Sequence, residues 1–420
     1  MISPLPLAGG AGGGTARLPS AHKPPPQPSS ASAGEGDLAL YIHWPFCVSK
    51  CPYCDFNSHV RAEIDQEQWR EALLADLAHE ARRLPGRRLS SIFFGGGTPS
   101  LMEPATAAAL IEAARAHWSP DDDLEITLEA NPNSVEAARF ADLAAAGVNR
   151  ISLGLQSFDN DALAFLGRAH SASEGLRALE IAQGEFARVN FDLIYALPGD
   201  SEASWSASLE RALGLGTTHL SLYQLTIEPG TRFAALNAAG KLEPLDSDIA
   251  ARLYELTAER TAAAGLPAYE ISNHAAAGAE SRHNLTYWRY GDYAGIGPGA
   301  HGRHDGMRTV RHRKPENFLS ALERNGHGMA EEQALDRREA ADEALVMGLR
   351  LADGIDVRAL EQRFGVAIIS WPAVDRLAAS GHLQRSGEQV NVTPRGRLVL
   401  DYLLGEIAAQ RFFGSWNEKR

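Results

Sequence analysis

The chain reads as an α/β protein: a partial (β/α)6 barrel of parallel strands followed by a small helical, winged-helix-like domain. Three observations predict this. Six short β-rich runs alternate with six amphipathic stretches between residues 38 and 264, and each connection is too long for a hairpin but right for a crossover helix. Several runs carry a polar residue among apolar ones, such as Gln156 after Leu155 and Asp192 between Phe191 and Leu193. A doubly wound sheet would bury these at a cost, whereas the mouth of a barrel turns them toward a ligand. After about residue 330 the alternation gives way to helical patterns and a short ribbon.

Taken in order, residues 1–36 hold seven Pro, seven Gly and five Ser without an aromatic residue, a composition that cannot bury enough surface to order itself and predicts a disordered tail. Strands are expected at 38–44, 89–94, 124–128, 148–155, 189–196 and 219–227, with helices at 66–84, 105–118, 135–146, 172–183, 202–213 and 249–264. The barrel unit is expected over 37–306, a linker over 307–335 and the second domain over 336–420. There, helices at 339–351, 357–364 and 374–379 precede strand-like pieces near Leu383 and at 390–393.

With 40 basic and 53 acidic residues the net charge is −13, which argues against broad nucleic-acid binding by phosphate neutralisation. The winged-helix-like part carries nine basic and nine acidic side chains over 337–405. It lacks the basic footprint of a DNA reader, so a structural or docking role is expected and no nucleic-acid partner. No run approaches ~18 consecutive apolar residues, so no transmembrane segment is expected. Met1 to Gly14 has no basic start and does not read as a secretory signal. All three cysteines lie within eight residues, which is no disulfide framework and points to a metal site in a reducing compartment, the cytoplasm.

Those cysteines form the strongest motif, Cys47-Val-Ser-Lys-Cys51-Pro-Tyr-Cys54, directly after the first strand. Three thiolates at this spacing can hold three irons of a [4Fe–4S] cube and leave the fourth open to an exogenous ligand. Structural zinc with His43 or His59 as fourth ligand, or a redox pair at Cys51 and Cys54, remain alternatives. Gly95-Gly96-Gly97-Thr98-Pro99-Ser100 follows the second strand, where glycines let backbone approach a ligand. No Lys follows as in GxxxxGK[ST], so a nucleotide triphosphatase is not expected. Glu129-Ala130-Asn131-Pro132 closes the third strand, Gly154-Leu155-Gln156-Ser157 the fourth, Arg168 follows, and Asp192 lies in the fifth. Polar residues at successive strand ends around a cysteine loop describe one ligand site.

These residues, with Tyr41-Ile42-His43-Trp44-Pro45-Phe46 before the cysteines, make residues 38–306 resemble the radical S-adenosylmethionine proteins. The stretch 38–405 resembles the oxygen-independent coproporphyrinogen III oxidase family within them. The resemblance implies that Cys47, Cys51 and Cys54 hold a [4Fe–4S] cluster and that S-adenosylmethionine chelates the fourth iron. Its pocket would be lined by Tyr41, Gly96, Gly97, Thr98, Glu129, Gln156, Arg168 and Asp192.

Two departures refine it. The porphyrinogen-decarboxylating members carry a further Cys two residues after the third cluster cysteine, where this chain has Phe56, and a longer folded N-terminal segment. The motif His283-Asn284-Leu285-Thr286-Tyr287-Trp288, together with CxxxCxxC, resembles the signature of the haem chaperone subfamily HemW. A histidine among aromatics can supply an axial nitrogen to haem iron. The resemblance implies that His283 binds haem, with His274 and His301 as alternatives, and that haem passes to apo-haem proteins such as respiratory enzymes. It assigns no catalytic residue. The other reading is an enzyme, oxidative decarboxylation of coproporphyrinogen III to protoporphyrinogen IX.

Overall fold

The computed structural model describes residues 36–409. Apart from Gly36, the tail expected over 1–36 lies outside them, as do residues 410–420. Strands β1 (Asp37–Trp44), β2 (Arg88–Gly96), β3 (Ser119–Ala130), β4 (Arg150–Gln156), β5 (Arg188–Tyr195) and β6 (His219–Gln224) lie side by side in chain order, each parallel to the next. The crossovers carry α1 (Gln66–Arg83), α2 (Pro104–His117), α3 (Ser134–Ala137), α4 (Phe140–Ala145), α5 (Asn160–Phe165), α6 (Ala172–Glu185) and α7 (Glu202–Leu213). After β6 come α8 (Arg232–Ala238) and α9 (Ser247–Ala263). The single helix expected over 135–146 is two. It breaks at Ala138 and Arg139, where the Arg139 guanidinium donates to the carbonyls of Ser100 and Met102.

Side-chain alternation gives the strands two chemically different faces. Leu38, Leu40 and Ile42 of β1, Ile126 and Leu128 of β3, and Phe191 and Leu193 of β5 pack with Leu73 and Leu77 of α1, Leu110 of α2 and Leu179 of α6 in the main core. The intervening residues, Tyr41, Ser91 and Glu129 among them, turn to the other face, where Arg150 donates to Glu125 and Ser152, Asn190 and Asp192 bond to one another.

The barrel stays open, and its sheet runs on at both edges. Antiparallel β7 (Asn273–Ala275) extends β6, while β8 (Tyr293–Ile296) pairs parallel to β1. Antiparallel β9 (His301–His304), β10 (Met307–Arg311) and β11 (Met329–Ala334) complete eleven strands. The stretch 307–335, expected as a linker, therefore supplies β10, α11 (Pro315–Asn325) and β11. Its anchor is Arg311, fully buried and donating to Asp76 (3.2 Å) and Glu80 (2.5 Å) of α1.

The second domain packs α12 (Arg337–Gly348), α13 (Val357–Phe364) and α14 (Trp371–Ala379) with a three-stranded ribbon of β12 (Ile355–Asp356), β13 (Leu383–Ser386) and β14 (Gln389–Val392). Leu345, Val357, Ile368, Val374 and Val390 form its own core. Tyr290 joins that core from the barrel side, with the Arg303 guanidinium stacked 3.5 Å over its ring.

Candidate functional site

The cysteine loop leaves β1 at Trp44, and Phe46–Cys47 pairs with His59–Val60 across it. The glycine loop at the end of β2 clamps it. Gly97 N–H donates to the Trp44 carbonyl at 2.7 Å and Thr98 N–H to the Phe46 carbonyl at 2.8 Å. A Cβ on Gly97 would stand 2.6 Å from the Phe46 oxygen, and one on Gly96, at φ +112°, the same distance from the His43 ring. Only glycine permits this approach.

From that clamp a chain of polar contacts links two sulfurs. Thr98 Oγ1 donates to Cys47 Sγ at 3.5 Å and accepts from Asn131 Nδ2 at 3.0 Å. Arg168 Nη2 donates to Asn131 Oδ1 at 2.6 Å and to the Gly154 carbonyl at 2.9 Å, while its Nη1 reaches Cys51 Sγ at 3.6 Å. The residue at the centre of this chain, Asn131, is part of the Glu-Ala-Asn-Pro motif but is not itself among the expected site residues. Its role depends on partners on two other segments, Thr98 after β2 and Arg168 after α5.

All three thiols are free, and burial pushes those of Cys47 and Cys54 up, an effect that a bound cation reverses. The donor set fits a cluster better than a single ion. Among the described residues no three His, Cys, Asp or Glu side chains converge as ligands of one metal, whereas in a cube each thiolate binds its own iron. His43 cannot complete a zinc site as placed, because its Nδ1 meets Tyr41 Oη and its Nε2 the Asn57 carbonyl, both at 2.9 Å.

The strand ends beside the loop bring together the other expected residues. Gly96 N–H donates to Glu129 Oε2 at 3.3 Å, and burial, with the Asp192 charge adding to it, pushes the Glu129 carboxyl up to about 8. Asp192 is pushed up to about 6 by burial, while Asn190 Nδ2 (2.8 Å) and Ser152 Oγ (3.3 Å) donate to it. Gln156 sits at φ +65° with its buried Oε1 lacking a partner. Tyr41 lies on the same face of β1, within ring contact of Phe93. Two carboxyls and an orphaned amide oxygen call for donors and positive charge: an ammonium and ribose hydroxyls donate, and a sulfonium adds charge. That is the polar inventory of S-adenosylmethionine.

His283 lies in the first turn of α10 (Arg282–Trp288), which sits against the polar face of the sheet. The ring is buried, stacked on Phe93 at 4.9 Å, with Nδ1 2.9 Å from Ser91 Oγ and Nε2 2.8 Å from Tyr287 Oη. Burial holds it neutral, its pKa lowered to about 3. Both nitrogens of the ring expected to bind haem thus have a hydroxyl partner in this structure. His274 is likewise buried against Thr261, while His301 lies exposed on β9.

Comparison with known proteins completes the picture. A family model described as the radical SAM superfamily matches residues 41–212, and one described as the HemN C-terminal domain matches 335–399. The Escherichia coli heme chaperone HemW is 39% identical over 89% of this chain and 98% of its own length. The chain belongs to the HemW family of radical SAM proteins. Membership implies a [4Fe–4S] cluster and S-adenosylmethionine. The mouse radical S-adenosyl methionine domain-containing protein 1, mitochondrial, is 40% identical over 92% of this chain and 90% of its own. Among solved structures, coproporphyrinogen III oxidase HemN from Escherichia coli shares the fold, at 23% identity, with a TM-score of 0.75 over 89% of this chain and 90% of that one. Among the described residues of this HemW-family chain, no helix is long and apolar enough to cross a membrane.

Proposed function

We propose that this protein binds haem and passes it to apo-haem proteins, respiratory enzymes among them, in the reducing cytoplasm. The kinship with HemW, over nearly the whole of that chaperone's length, carries the reading. Phe56 supports it: where the decarboxylating relatives place a further cysteine, this loop offers an exposed phenyl ring.

Cys47, Cys51 and Cys54 would hold the cluster, with Thr98 and Arg168 donating to two of the sulfurs. Glu129, Asp192 and Gln156 would accept the ligand's donors, Gly96 and Gly97 would admit it close to the backbone, and Tyr41 would wall the pocket. When bound and reduced, the cluster can supply an electron to S-adenosylmethionine. His283 is preset for iron in one respect. In the tautomer that donates Nδ1–H to Ser91, Nε2 presents a lone pair that Tyr287 Oη now occupies, and a metal-bound histidine is oriented by such a bond on its other nitrogen. Iron would displace the tyrosine hydroxyl.

The test is anaerobic, with cluster-reconstituted protein. Haem titration is expected to give a saturable Soret band, and labelled haem is expected to move to an apo-haem acceptor. Incubation with coproporphyrinogen III and a reductant is expected to yield no protoporphyrinogen beside an active decarboxylase control. Robust turnover would overturn the chaperone reading in favour of the decarboxylase.

A further inference from the structure

The buried ring of His283 leaves open where the broad macrocycle of haem first meets the protein. In the cluster-free protein a cavity of about 600 Å³ lies beside the cysteine loop, bounded on one side by Cys51 and Cys54, where the cluster would sit, and on the other by Phe165 of α5 and Phe233 and Leu236 of α8. That volume falls within the roughly 300–1,000 Å³ of small-molecule sites. Another cavity, between β8–β10 and α12, holds about 170 Å³, and its Arg308 already faces Glu339 and Glu343.

The larger cavity is a built feature. Phe233 N–H donates to the Pro52 carbonyl at 3.0 Å, fixing α8 to the cysteine loop, and the Phe165 and Phe233 rings pack 4.8 Å apart. Gly167, at φ +67°, lets the loop come close, since a Cβ there would stand 2.6 Å from Pro52 Cδ. Lys50 and Arg232 also line it, both exposed. In a chain of net charge −13, neither makes an ion pair or a side-chain hydrogen bond among the described residues. Aromatic and aliphatic walls with two unpaired cations complement a flat apolar body that bears two carboxylates.

We propose that this cavity is the docking subsite for the haem macrocycle, with Lys50 and Arg232 meeting its two propionates. The proposal rests on the haem-binding reading, and it separates capture of the macrocycle from ligation of the iron. His283 does not line the cavity.

Iron-free protoporphyrin IX tests it, because that ligand keeps the ring and the propionates and removes the metal. Its fluorescence is titrated with full-length, cluster-reconstituted protein, with haem titrated in parallel. Lys50→Glu/Arg232→Glu is expected to weaken protoporphyrin binding about tenfold or more. The charge-matched control Lys314→Glu/Arg395→Glu, on exposed residues elsewhere, is expected to keep the wild-type affinity. Leu236→Trp, which fills the cavity, is expected to weaken binding without reversing a charge, with circular dichroism confirming the fold. Equal losses in cavity and control variants would overturn the proposal as a net-charge effect. Unchanged affinity in both the Lys50/Arg232 and Leu236 variants, with haem and protoporphyrin still bound, would place the macrocycle elsewhere and overturn the subsite alone. Failure of the wild type to bind either tetrapyrrole would overturn the chaperone reading together with it.

Discussion

The two faces of the parallel sheet do different work with the same backbone. On the helix-covered face, Leu40, Ile126, Leu153, Phe191 and Leu220 are fully buried in one apolar core. On the other, Ser152, Asn190, Ser221 and Asn273 hand hydrogen bonds across four strands, and Arg150 pairs with Glu125. Parallel strands covered on both sides normally read as continuous apolar runs. Here the alternation survives because the inner face serves a polar ligand site and the seat of α10. Stability thus comes chiefly from one face and ligand chemistry from the other.

That division can be broken most strongly from the apolar side. Phe191→Ala should cost about 3–5 kcal/mol by leaving a cavity in the main core, read as a lower urea midpoint. A loss under 1 kcal/mol would show that the helix-covered face is not the principal source of stability. On the polar face, Arg150→Met should cost about 3 kcal/mol, because buried Glu125 loses its cationic partner and keeps only the hydrogen bonds from Ser281 and the His283 amide. Adding Glu125→Gln should recover most of that loss. If the double variant is as unstable as the single, the ion pair is not what the inner face depends on.

Glu129 sharpens the contrast through pH. Its carboxyl is raised to about 8 in the fold, against roughly 4.3 in an unfolded chain. Between these values the folded state binds more protons, so stability is full below the lower value and falls as pH rises through the higher. Glu129→Gln should flatten that fall and gain about 1–2 kcal/mol at pH 8 in cofactor-free protein. Parallel pH profiles for variant and wild type would remove Glu129 as the cause. Smallest in stability, Asn131→Ala should cost about 1 kcal/mol while releasing Thr98 and Arg168 from their shared partner. Faster loss of iron and labile sulfide from the reconstituted protein would follow. Unchanged cluster lifetime would mean that each reaches its sulfur unaided.

Much of this was written locally in the chain. The spacing of Cys47, Cys51 and Cys54 needs no tertiary context, because all three lie in one loop, and the alternation of strands with amphipathic helices announces a parallel sheet. Glu129, Gln156 and Asp192 were legible because they interrupt apolar strand runs, and Arg168 because it follows the fourth strand in a loop on the same side. The strands β10 and β11 were not: Arg308 and Arg311 in the one, Glu331 and Glu332 in the other, read as a charged connection. They pair with each other at the sheet edge, and the burial of Arg311 against Asp76 and Glu80 comes from α1, far away in sequence.

The same distance separates the parts of the site. Sequence by itself determined which chemistry was present: thiols grouped in one loop, carboxyls at strand ends, and a histidine beside aromatics. Only the folded sheet decided which of these groups meet. Asn131 became the bridge between Thr98 and Arg168, Asn190 the donor that holds Asp192, and Tyr287 and Ser91 the partners of His283. The physical reason is that local spacing fixes periodicity and loop geometry, whereas hydrogen-bond partners and burial depend on strand register, and register is set by the packing of the whole core.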